Sequence, residues 1–127
     1  MLLTKEQQFN GLVDLSATPA ELIVIDVKND DVLAVDVGNE GTAAFTGFTI
    51  HERVSPNGPL RDITPSSFTA ESSLVFTAAA SAPGSLVAGG FSRFSLNVSD
   101  SAQIAIRATG SAGAKARLTA ATYKVNA

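Results

Sequence analysis

His51 is the single histidine of the chain and the first residue to question for chemistry. A histidine can drive acyl transfer when a nucleophile lies within hydrogen-bond reach and an acid orients the ring. Its neighbour Glu52 falls on the opposite face of a strand, and no Gly-x-Ser-x-Gly elbow occurs. His51 therefore reads as a structural or surface residue. Asp26, Asp30, Asp31 and Asp36 are the next candidates, because hard cations bind grouped carboxylates. They lack the spacing of a calcium loop and read as solvated turn charge. Asn97-Val98-Ser99 matches the glycan acceptor pattern, which is idle without a secretory signal. Gly110-Ser-Ala-Gly113 has too few glycines and no following Lys-Ser/Thr for a phosphate loop, and reads as a β-turn. Cysteine is absent, which excludes disulfides and thiolate metal sites. These exclusions predict a non-enzymatic chain with no cofactor and no bound metal.

What remains is binding. Tyr and Arg are favoured at interaction surfaces, and Tyr123, Arg107 and Arg117 are expected to line one outer face of the last strands. At the other end, Leu2, Leu3, Phe9, Leu12, Val13 and Leu15 are too many apolar residues for a freely solvated tail. Leu2, Leu3, Phe9, Leu12, Arg107, Arg117 and Tyr123 are the candidate interface.

The elements that must position these residues are strands. Leu22 to Val27 is rich in branched residues, with Ile23, Ile25 and Val27 on one face. Asn29-Asp30 is turn chemistry, and Val32 to Val37 follows with Leu33, Val35 and Val37 inward. Sequential strands usually pair, so these two runs are expected to form a hairpin. Thr42 to Val54 is a long strand, with a bulge near Gly47 resetting the register so that Phe45, Phe48 and Ile50 share a face. Ser55-Pro-Asn-Gly-Pro59 predicts a primed turn. Residues 60–70 are expected to hold an edge strand plus loop, and 73–76 a short strand. Phe91 to Val98 and Gln103 to Thr109 place Phe94, Leu96, Ile104 and Ile106 inward as expected cross-strand neighbours. Lys115 to Val125 is the last strand. Seven to nine short strands and no helix predict an all-β fold, an antiparallel immunoglobulin-like or jelly-roll-like β-sandwich over residues 20–127. Residues 1–19 form an N-terminal arm. Its apolar spacing fits neither strand nor helix, apart from one possible helical turn at Thr4 to Gln8, and Gly11 and Pro19 punctuate it.

The chain has 127 residues, which suits one domain with a real core. Its net charge is −3 with scattered cations, which argues against a nucleic-acid partner. The start Met1-Leu-Leu-Thr-Lys5-Glu is unlike a signal peptide. No apolar run is long enough to span a bilayer, so no membrane partner is expected.

Two patterns carry a resemblance. Val35, Val37, Asn39 and Gly41, followed by Leu86 and Gly89, resemble the V-x-V-x-N-x-G … L-x-x-G pattern of bacterial and phage immunoglobulin-like accessory domains. The resemblance covers roughly residues 20–125, without the cysteine pair and core Trp of antibody domains. It implies that Asn-x-Gly bends the chain between two strands and that the Gly89-Gly90 pair precedes a strand packing across them. The small, cysteine-free, Ala/Gly/Ser/Thr-rich build is also similar to bacteriophage virion proteins, in particular capsid decoration (cement) proteins. That likeness implies a homo-oligomer made in the host cytoplasm and carried in the virion. It would bind the major capsid or another virion protein through its sandwich and arm. The alternative is a carbohydrate-binding immunoglobulin-like module, which the absence of Trp and the single Tyr disfavour.

Overall fold

The computed structural model describes residues 2–64, 75–78 and 83–126, with the side chains of 9–64 and 83–124. Nine strands lie among them: β1 (Leu2–Asp14), β2 (Ala20–Asp26), β3 (Val32–Asn39), β4 (Phe45–Arg53), β5 (Arg61–Asp62), β6 (Val75–Ala78), β7 (Phe91–Asn97), β8 (Gln103–Gly110) and β9 (Lys115–Asn126). A 3-10 turn, Pro83–Ser85, precedes β7. The strands form two antiparallel sheets. Sheet A has the order β1-β9-β3-β7-β6 and sheet B the order β2-β8-β4-β5.

The pairing is nested. The chain runs out through β1, β2, β3 and β4, turns at β5, and comes back so that β7 lies on β3, β8 on β2, and β9 on β1. Rolling this doubled ribbon places β9 also on β3, and β8 also on β4. Of the two sandwich arrangements expected, this is the jelly roll. An immunoglobulin sandwich keeps its first two strands in one sheet, whereas β1 and β2 lie in different sheets.

Alternation within each strand builds the core between the sheets. Val27, Leu33, Val37, Ile50, Leu96, Val98, Ile104 and Ile106 are fully buried. Each such side chain stabilises the fold by roughly 1.5–3 kcal/mol through the water-exposed area it removes. Phe48 of sheet B meets Phe94 of sheet A edge-to-face, with ring centroids 5.9 Å apart and planes at 88°, a favoured aromatic geometry. The register of β4 shifts between Phe45 and Gly47, and Phe45, Phe48 and Ile50 are all buried, as the bulge requires. A second shift, between Glu21 and Ile23, lets the adjacent residues Leu22 and Ile23 both reach the core.

Several expectations change. β2 and β3 are not a hairpin, since β2 pairs with β8, and β3 with β7 and β9. The link between them is a corner from one sheet to the other, with Asn29 at φ 71° and Asp30 buried. Period-two alternation reports which face a residue uses and not which strand lies beside it. For the same reason Phe94 and Leu96 face Ile104 and Ile106 across the sandwich rather than within one sheet. The turn at residues 55–58 is closed by the Gly58 amide donating to the Ser55 carbonyl at 2.9 Å. Asn57 and Gly58 both have negative φ there. Pro56 fixes the first central residue near −65°, which a primed turn does not allow.

The largest correction concerns residues 1–19. β1 is a 13-residue strand paired along the whole of β9, from Leu2 opposite Asn126 to Asp14 opposite Lys115. A bulge between Lys5 and Gln7 breaks its alternation, which hides the strand from a periodicity test. Phe9 and Val13 pack against the core and Leu15 is buried. Residues 65–74 and 79–82 lie outside the described residues, and with them most of the expected 60–70 segment and the start of the 73–76 strand.

Candidate interaction surface

Outward positions on β9, β3 and β7 form the exposed face of sheet A. Register sets them in rows: Tyr123 beside Val32, Ala121 beside Ala34 and Ser95, Thr119 beside Asp36 and Arg93, and Arg117 beside Gly38 and Phe91. The small side chains in the second row leave a shallow groove of about 440 Å³, with Tyr123 at one end and the Asp36–Arg93 pair at the other. Arg93 Nε donates to Asp36 Oδ2 at 2.6 Å, and the guanidinium carbon lies 5.6 Å from the centroid of the exposed Phe91 ring. This pair is too exposed to add much stability. It does fix the guanidinium against the sheet. Arg117 Nε donates to Glu40 Oε2 at 2.5 Å, and its terminal amino group reaches Asn10 Oδ1 at 3.5 Å.

The seven candidate interface residues do not share one face. Arg117 and Tyr123 lie on the outer face of sheet A, and exposed Leu12 sits opposite Arg117 on β1. Arg107 belongs to β8 and projects from sheet B, where it donates to Glu21 Oε1 at 3.4 Å. The expectation that it joins Tyr123 and Arg117 is therefore corrected: the turn at residues 111–114 carries the chain from one sheet to the other. Phe9 turns inward. Its ring folds over Gly11, where an added Cβ would lie 2.9 Å from the ring's Cζ. Leu2 and Leu3 are placed on β1, and their side chains lie outside the described residues. In the sequence Asp36 stands out only as one of four turn carboxylates, and neither Phe91 nor Arg93 stands out. They stand at outward alternating positions, but only the β3–β7 pairing brings them together.

The two sequence patterns meet at Asn39, which is 2% exposed. Its Nδ2 donates to the carbonyls of Ala43 at 2.7 Å and Leu86 at 3.1 Å. Its Oδ1 accepts from the Gly41 amide at 3.0 Å, and its backbone carbonyl accepts from Gly89 at 2.9 Å. One buried amide thus satisfies the chain at the bend after β3 and at the loop before β7. Gly41 passes so close to the next corner that a Cβ would lie 2.1 Å from the Gly113 carbonyl oxygen.

His51 sits on the outer face of sheet B, with Nε2 3.1 Å from Thr49 Oγ1, and is paired across the strands with Asp62. Hydroxyl, imidazole and carboxylate occur together, yet Asp62 does not orient the ring. Its Oδ1 accepts from the Thr64 hydroxyl at 2.6 Å and amide at 2.9 Å. These two bonds hold the carboxyl below its ordinary value of 3.8, with a smaller lowering from His51 and a small opposing effect of burial. Of the acidic group, Asp30 is buried rather than solvated, Asp36 is on the sheet face, and Asp26 Oδ1 accepts from the Lys28 amide. Among the described residues no three His, Cys, Asp or Glu side chains gather where a metal ion could be held. In the 97–99 segment, Asn97 Oδ1 accepts from Ser99 N and Oγ, closing a turn after β7.

No protein-family model matches the chain. The curated proteins contain no match either. Among solved structures, the crystal structure of the SPBc2 prophage-derived protein YomS is similar, with a TM-score of 0.53 and 10% sequence identity, over 94% of this chain and 96% of that one. At that identity the likeness is one of fold.

Proposed function

We propose that this chain is a non-enzymatic structural protein of a phage particle, one that decorates or cements the capsid. The observation that supports it most is the likeness of fold, over nearly the full length of both chains, to a prophage-derived protein. The build agrees with that reading. On the outer face of sheet A, Ala34, Ser95, Thr119 and Ala121 lie between Tyr123 and the Asp36–Arg93 pair, and such small side chains pack against a partner at low entropy cost. The partner is the major capsid protein or another virion protein, and the site of action is the virion. The test compares particles assembled with and without the chain. Particles lacking it should release their genome at lower temperature, with restoration when purified protein is added back. Particles of equal stability that fail to take up the added protein would refute the reading.

The groove itself favours a second reading, a carbohydrate-binding module. Tyr123 offers a ring to a sugar face, and Asp36, Arg93, Ser95 and Thr119 offer polar groups. A glycan-array signal that Tyr123→Ala abolishes would put this reading first.

A further inference from the structure

Among the described residues β1 is the outer strand of sheet A, and we infer that this edge pairs antiparallel with the same strand of a second copy, with the two-fold axis at Gly11. An edge strand carries a row of unpaired amides and carbonyls that another strand can complete. The other described edges fit this poorly. β5 has two residues and the described β6 four, while β2 is bulged between Glu21 and Ile23. β1 is long, and after its bulge Gln8 to Asp14 runs in unbroken register on β9. That stretch has no proline and one charge, Asp14.

The stretch is complementary to itself. Residues opposite each other in an antiparallel pair share a face. A two-fold at Gly11 sets Phe9 against Val13 of the other copy on the inner face, twice. Both side chains are only partly buried at the rim of the core, so the pairing extends the apolar layer from one copy into the next. On the outer face it sets Leu12, 48% exposed, beside Asn10 of the second copy, and Gln8 beside Asp14. No like charges meet. A centre at Asn10 would instead oppose Phe9 to Gly11, and a centre at Leu12 would oppose Val13 to Gly11, each leaving the apolar partners apart. At the axis the inner face of Gly11 is taken by the Phe9 ring that folds over it, so no further side chain projects between the two copies there. The product is one continuous sheet with five strands from each copy.

This deepens the reading of the chain as an assembling protein by naming one partner as a second copy. It is tested on purified protein, so its failure leaves the particle experiment standing, and the reverse also holds. The chain has no cysteine of its own, so Asn10→Cys and Leu12→Cys are made as separate single variants. Oxidation of their mixture should give a disulfide-linked dimer, and oxidation of either alone should not. Leu12→Lys should weaken dimerisation in sedimentation velocity by at least about tenfold, with an unchanged circular dichroism spectrum. A parent chain that stays monomeric at about 0.1 mM would overturn the inference. So would cross-linking as strong in a single variant as in the mixture, or a Leu12→Lys chain that dimerises undiminished.

Discussion

Among the described residues, Ser92 is the one whose polarity works against the core. It is fully buried on the inner face of β7, and its Oγ finds no partner among the described residues. An unmet buried hydroxyl costs roughly 1–3 kcal/mol of desolvation. Ser92→Ala should therefore leave stability unchanged or raise it by about 1 kcal/mol in a urea titration; a loss of that size would mean the hydroxyl is bonded. Asn39 is the contrasting case, a buried amide with its donors and acceptor used. The resemblance implied the Asn-x-Gly bend and a strand after Gly89-Gly90 packing across it, but not that the Asn39 amide itself ties the bend to the Leu86 carbonyl. Asp62 illustrates a local device. Its depressed carboxyl contributes stability that is present above the ordinary value of 3.8 and is lost as pH falls through the lower folded value. Thr64→Val should move the Asp62 titration up toward 3.8 in an NMR pH series, while Thr64→Ser leaves it low. An unmoved titration in Thr64→Val would assign the shift elsewhere.

At the scale of elements, faces were readable and most neighbours were not; the exception is the strand after Gly89-Gly90, which the resemblance set across the 35–41 segment and which pairs with β3 as β7. Leu33, Val35, Val37, Phe94, Leu96, Val98, Ile104 and Ile106 are inward as alternation predicts, and the bulge before Gly47 was visible in the spacing of Phe45 and Phe48. The β2–β3 hairpin failed because each link from β1 through β4 crosses between sheets. β1 was missed because its bulge and Gly11 interrupt the alternation of an otherwise regular strand. Its place in sheet A decides what truncation should do. Deleting residues 1–14 removes one of the two partners of β9, the one paired along its whole length, and strips Phe9 and Val13 from the core. The melting temperature should fall by more than about 10 °C, since several kcal/mol are lost from a domain of this size. A truncated chain melting within about 2 °C of the full one would show that the segment is dispensable for folding.

For the whole molecule, the nested pairing makes the first and last strands neighbours, so most stabilising contacts join residues far apart in sequence. Composition and strand count were enough to expect a sandwich. The roll itself depends on which strand lies beside which, and single-sequence periodicity carries no record of that. The surface follows the same logic: Tyr123 and Arg117 share a face by alternation along β9, while Asp36 and Arg93 meet only because β3 and β7 pair. The functional reading rests on this architecture and on a prophage-derived structural neighbour. The most direct measurement is quantitative mass spectrometry of purified particles. The proposal predicts the chain in a fixed, stoichiometric ratio to the major capsid protein. Its absence from particles, or presence only at trace level while abundant in the lysate, would contradict the proposal.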